Sequence, residues 1–234
     1  MSLDQEKNRR YEQMQKQYQD SAYFGNESFF QTVHQDIPRP TLSEQDWQYL
    51  KIYGCFDLPP PAIERGLFDT FLEKCYPWMP VIDVDHYRSL SPQNRPIVLQ
   101  QALCLAGSKV SQSNYRYVSS KQYYDRTKAL IYAGYETNQL VCLSALCLIQ
   151  WWVGHSPNFV TCDTSWHWTG VGIRVSQQVG LHRASTKPNY RLRKRIWWTL
   201  FVCFSLSLFS SISMTNKKKS AKIDLFQQHM GDLR

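Results

Sequence analysis

The chain has 234 residues, 43% of them apolar and 14% aromatic, which excludes a disordered polypeptide and leaves material for one domain with a substantial core. Its formal net charge of +8 is unevenly placed: residues 1–60 carry net −3, residues 61–182 net +2 and residues 183–234 net +9. Seven cysteines, at 55, 75, 104, 142, 147, 162 and 203, include no Cys-x-x-Cys pair, so the spacing excludes a zinc cluster or a disulfide framework and implies buried reduced thiols.

Residues 1–21 are almost wholly polar and read as a linker or a frayed helix, without the apolar run of a secretory signal. Tyr23 to Phe30 and Val33 form a short aromatic stretch that ends at Pro38 and Pro40. Ser43 followed by Asp46 has capping-box spacing and predicts a helix through Trp47, Leu50 and Tyr53. Pro59-Pro60-Pro61 sets the start of another, whose apolar face is Ile63, Leu67, Phe68, Phe71 and Leu72, with Glu64, Asp69 and Glu73 outward. Pro77 and Pro80 then force a turn, because neither can continue a helix. Asp83, Asp85 and His86 could ligate a metal or form an acid–base pair, but a turn whose acids cap the next helix is the simpler reading.

Pro96 to Val110 predicts a helix with Val98, Ala102, Leu103 and Leu105 inward. A second runs from Val118 to Tyr135, packing Tyr123, Ala129, Leu130 and Ala133 and leaving Lys121, Asp125, Arg126 and Lys128 wet. Leu140 to Val153 is apolar nearly all round and is expected to be the most buried helix. It runs into Trp151-Trp152, which with Trp166 could line an apolar effector pocket or could be ordinary core aromatics.

Trp166 to Val202 organises the rest. Trp168, Val171, Val175 and Val179 recur at three and four residues, the apolar stripe of a helix that Gly180 would end in a left-handed cap. Gly170 and Gly172 sit inside that helix and are expected to let a neighbour approach closely. After a polar connector, a helix opens with Arg191, Arg193, Lys194 and Arg195 and carries Ile196, Trp197, Leu200 and Phe201 into the same core. Basic residues at that end oppose the helix dipole, which favours acids there. No Gly-x-Ser-x-Gly elbow, Cys–His motif, Gly-rich phosphate loop or dinucleotide fingerprint occurs, so an enzyme is not expected.

The pattern Trp168-x-x-x-x-x-Arg174 with Gly170, then Gly180-Leu181-His182-Arg183, then Arg195 before Trp197-Trp198, resembles the fungal-specific transcription factor domain. So does Leu67 to Tyr87, an aromatic-rich helix running into a Tyr-Pro-x-x-Pro-Val turn. That domain is the helical middle-homology region found downstream of a zinc binuclear-cluster DNA-binding module. The resemblance covers residues 22–202 and implies an all-α, irregular multi-helix bundle, incomplete at its C-terminus, acting as a nuclear regulatory domain in transcription. It assigns no catalytic residue or metal ligand here, because zinc and DNA contact belong to the module, whose six-cysteine array this sequence does not contain. DNA, transcriptional co-regulators and a second copy of the chain are the partners consistent with it.

Residues 203–234 depart from the family pattern, as an unspliced intron or shifted frame would. Two alternative functions stand beside the regulatory one. The first is a helical interaction module that titrates partners without touching DNA. The second is a membrane anchor at residues 196–214, a stretch without charge between basic flanks, although Thr199 and serines 205, 207, 210, 211 and 213 argue against insertion.

Overall fold

The computed structural model describes residues 42–111, 118–152, 161, 163–183 and 189–206, so the polar segment 1–21 and the aromatic stretch of Tyr23 to Phe30 and Val33 lie outside it. These residues form helices and no strands, the all-α bundle that was expected. The first helix, α1 (Glu44–Ile52), starts on the predicted box: Asp46 N–H donates to Ser43 Oγ at 3.1 Å, and Ser43 N–H donates back to Asp46 Oδ2 at 3.0 Å. Helix α2 (Pro61–Lys74) begins on Pro61, which fixes the backbone at a position where its missing N–H costs nothing. The Pro77/Pro80 turn follows, and Asp83 caps the short helix α3 (Val84–Ser89) by accepting from His86 N–H at 3.1 Å. Asp83 therefore serves as the cap, and among the described residues no group of three or more His, Cys, Asp or Glu is arranged to hold a metal ion.

The centre of the bundle is α4 (Ile97–Val110), packed against α2, α5 (Ser120–Tyr132) and α6 (Gln139–Leu148). Every residue of α4 from Val98 to Ser108 is buried, whereas burial in α6 is confined to Leu143 to Leu148. The expectation that the Leu140 segment would be the most buried helix is corrected here. Apolarity alone ranks α6 first; α4 wins because it has neighbours on three sides, and they cover even Gln100 and Gln101. Gln101 is tolerated there because its amide donates to the carbonyls of Cys55 and Asp57 at 3.0 and 2.9 Å.

Three polar residues expected in solvent are drawn inward. Glu64 accepts from Gln100 Nε2 at 3.3 Å and pairs with Arg95 at 3.8 Å. Arg126 leaves only 12% of its side chain exposed and donates to the Asp57 carbonyl at 3.0 Å. Lys128 pairs with Asp163 at 2.5 Å. Long side chains find polar partners on neighbouring segments while their stems cover apolar surface, which periodicity does not register.

Helix α7 (Ser165–Gln178) is capped by Thr164, whose hydroxyl accepts from His167 N–H at 3.2 Å, and packs against α6. The last helix, α8 (190–206), places Ile196 and Leu200 fully in the core. Phe201, expected beside them, is 45% exposed, because it sits one position round from Leu200 and faces out. Among the described residues no helix is long and apolar enough to cross a membrane; residues 207–214 of the anchor reading lie outside them.

Cys55, Cys75, Cys104 and Cys147 are buried, and Cys142 and Cys203 half-buried, all as free thiols. Burial pushes the Cys55, Cys75 and Cys142 thiols up to about 11, and holds those of Cys104 and Cys147 well above the ordinary thiol value.

Candidate functional site

Helix α8 packs on α7 through Leu200 and Gly172 and reaches the Tyr76–Asp85 turn through Arg195. Trp168 is 1% exposed and donates from Nε1 to Tyr124 Oη at 3.1 Å. Tyr124 donates in turn to Asp163 Oδ1 at 2.9 Å, the oxygen that also receives Lys128 Nζ. One carboxylate thus anchors an indole, a phenol and an ammonium, which ties α5 to the start of α7. Asp163 and Tyr124 carried no motif; only the fold brings them to Trp168.

The buried face of α7 is Trp168, Thr169, Gly172 and Ser176, while Val171 and Val175 on the predicted stripe are half-covered. Small and hydroxylic residues win this face because α8 lies close against it. A Cβ on Gly172 would stand 2.7 Å from Leu200 Cδ2. One on Gly170 would meet nothing within 4 Å, so Gly172 alone serves the close approach expected of both. Thr169 and Ser176 return their hydroxyls to Ser165 O at 2.8 Å and Ile173 O at 2.7 Å, which removes the cost of burying them. Arg174 is exposed.

Gly180 closes the helix at φ 73°, the left-handed cap the sequence predicts, and Leu181 N–H reaches back to Ser176 O at 2.9 Å. Leu181 is buried, while His182 lies at the surface with its ring 5.8 Å from that of Trp197. Arg183 donates to His182 Nε2 at 3.3 Å.

The basic run at the start of α8 divides by function. Arg193 donates to Val179 O at 2.9 Å, meeting the negative end of α7. Arg195 donates to Tyr76 Oη at 3.0 Å and Ile82 O at 3.2 Å, clamping the proline turn. Arg191 and Lys194 stay exposed. Burial lowers the guanidinium value of Arg193 from its ordinary position.

Between that turn and α8 lies an open groove of about 1050 Å³. Trp78, Pro80 and Val84 line one wall with Asp83 and Asp85, and Arg191, Lys194, Arg195, Trp198 and Val202 line the other. Of the family-motif residues, Arg195 and Trp198 reach this groove. Trp151, Trp152 and Trp166 do not: Trp152 stacks on Tyr124 at 5.2 Å, Trp166 on Phe204 at 5.7 Å, and Trp151 packs against the core.

Residues 68–222 match the fungal specific transcription factor domain. The chain belongs to this family. The match starts within α2 and runs past Val202, where the sequence reading ended the family-like segment. Cutinase transcription factor 1 beta of Fusarium vanettenii is 30% identical over 70% of this chain and 21% of its own length. Cutinase transcription factor 1 alpha of the same organism is 32% identical over 72% of the chain and 21% of its own length. The acetamidase regulatory protein of Aspergillus oryzae is 27% identical over 70% of the chain and 22% of its own length. The chain therefore spans about a fifth of these relatives. No solved structure matches it.

Proposed function

We propose that this chain is a regulatory, non-catalytic segment of a nuclear fungal transcription factor, and that it works through protein contacts. The observation that carries this reading is the domain match over residues 68–222, together with relatives that are named transcription factors and regulatory proteins. The geometry supports it: Trp168 bonds across to α5, Gly180 ends α7, Arg195 clamps the proline turn to α8, Leu181 lies in the core and Trp197 packs against it. In this reading they are structural residues, and the open groove beside α8 is the surface left for partners. In this reading zinc and base recognition belong to a separate module of full-length members.

The test fuses the full chain to a heterologous DNA-binding domain in a fungal host carrying a reporter. Output that differs severalfold from the DNA-binding domain alone, with a fluorescently tagged chain enriched in nuclei, is the expected result. Unchanged output with the tag excluded from nuclei would overturn the reading. Direct DNA contact is tested separately by titrating duplex DNA at rising salt. Weak binding that ignores sequence and disappears with salt is expected of a basic surface, whereas sequence-selective binding at physiological salt would mean the segment itself reads bases.

A further inference from the structure

The groove beside α8 has the composition of a protein-docking surface. Trp78 is 82% exposed on one wall and Trp198 51% exposed on the other. Indoles are costly to leave in water, and Trp, Tyr and Arg are the residues that dominate binding energy at interfaces. Tyr190, 54% exposed, and Val202, 50% exposed, extend the apolar strip along α8.

Shape and charge select the occupant. A small molecule is normally held in a cleft that buries most of its surface. Here two exposed indoles stand on the facing walls of an open groove, which suits an extended or helical peptide. Charge is divided between the walls. Arg191 and Lys194 lie on the α8 side, in a run from 191 to 195 that holds four cations and no acid. Asp83 and Asp85 lie on the turn side, where Asp83 also accepts from His86 N–H as a helix cap. A peptide bearing acids would be drawn to α8 and kept off the turn wall, which sets its register. A second copy docked groove to groove fits poorly, because it would set its own run of four cations against this one.

We propose that the groove between the Tyr76–Asp85 turn and α8 docks an acidic, aromatic-rich peptide segment of a partner protein, with its apolar side chains on Trp78 and Trp198 and its acids on Arg191 and Lys194. This names the partner chemistry for the regulatory reading and rests on it.

The test uses the full chain and a fluorescein-labelled synthetic peptide of roughly 16 residues, long enough for about four helical turns, with Asp and Glu on one face and Phe and Leu on the other. A copy with Lys in place of every acid is the control. Binding of the acidic peptide is expected, with a loss of about tenfold or more for Trp78→Ala and for Trp198→Ala. Lys194→Glu should weaken it by about tenfold, and the effect should shrink at high salt. All three positions are exposed, so far-ultraviolet circular dichroism and melting of the variants should match the parent chain. Equal binding of the Lys peptide, or affinity untouched by both tryptophan substitutions, would overturn the proposal. Concentration-dependent dimerisation abolished by Trp78→Ala, without peptide binding, would overturn it in favour of a second copy. Peptide binding and reporter output are read separately. Lost docking with reporter output intact sinks only the groove assignment.

Discussion

Arg193 donates from Nη2 to the Val179 carbonyl at 2.9 Å, so the first turn of α8 caps the last turn of α7. This resolves the conflict between a cationic run and the positive end of its own helix dipole. The guanidinium is placed for the neighbour: it meets a carbonyl at the negative end of α7. Arg195, two residues on, also donates away from its own helix, to the carbonyl of Ile82 in the proline turn.

Replacing Arg193 with Met keeps the apolar stem and removes the donor. The Val179 carbonyl is then left without its charged partner, at a cost of about 1–3 kcal/mol. Urea unfolding of the purified variant should show a lower midpoint with an unchanged slope; an unmoved midpoint would refute the cap.

The two glycines of α7 should respond with opposite signs. Gly172→Ala drives a methyl against fully buried Leu200 and should destabilise the chain by about 1–3 kcal/mol. Gly170→Ala faces open space and should stabilise by about 0.5–1 kcal/mol through helix propensity. Gly172→Ala combined with Leu200→Val should cost less than the sum of the two singles, since each relieves the other. Thermal melts of the four proteins decide it, and additive losses would rule out the contact.

Tyr124→Phe deletes the hydroxyl that joins Trp168 Nε1 to Asp163. The buried indole N–H then lacks its acceptor, a loss of about 1–3 kcal/mol. Asp163→Asn should cost less, because an amide oxygen can still accept from Tyr124 while only the charge facing Lys128 is removed. Denaturant titrations followed by tryptophan fluorescence provide the comparison. Asn proving worse than Phe would mean the ion pair, and not the indole bond, dominates.

The raised thiols predict alkaline sensitivity. Below the ordinary thiol value both folded and unfolded chains hold the proton, and the thiols add no pH dependence. Above it the unfolded chain ionises while the folded thiols, at about 11 for Cys55 and Cys75 and well above the ordinary value for Cys104 and Cys147, do not. Stability should therefore fall as pH rises from about 8.5 to 11, by up to about 1.4 kcal/mol per unit for each such thiol. Unfolding under reducing conditions at successive pH values measures the slope. Replacing Cys104 and Cys147 with Ala should flatten it, and an unchanged slope would refute the assignment.

Sequence alone determined the signals that act within one turn or one helix. The Ser43–Asp46 box, the proline start at Pro61, the Asp83 cap and the left-handed Gly180 all follow from bonds between near neighbours, and each stands where expected. The family motif was legible for the same reason: its Gly-Leu-His-Arg turn and basic, double-tryptophan helix start lie close together in the chain. The Ser119–Gln122 box at the start of α5 also forms, although it was not singled out from the sequence. Tertiary structure decided what depends on residues far apart. It chose α4 over α6 as the buried centre, took Gly172 and not Gly170 for the contact with α8, and turned Arg126, Arg193 and Arg195 toward backbone carbonyls. It also drew Asp163 to Trp168 and set Trp78 opposite Trp198 across the groove. Periodicity reports which face of a helix is apolar, but a long polar side chain is buried or exposed according to the acceptor that folding brings within its reach.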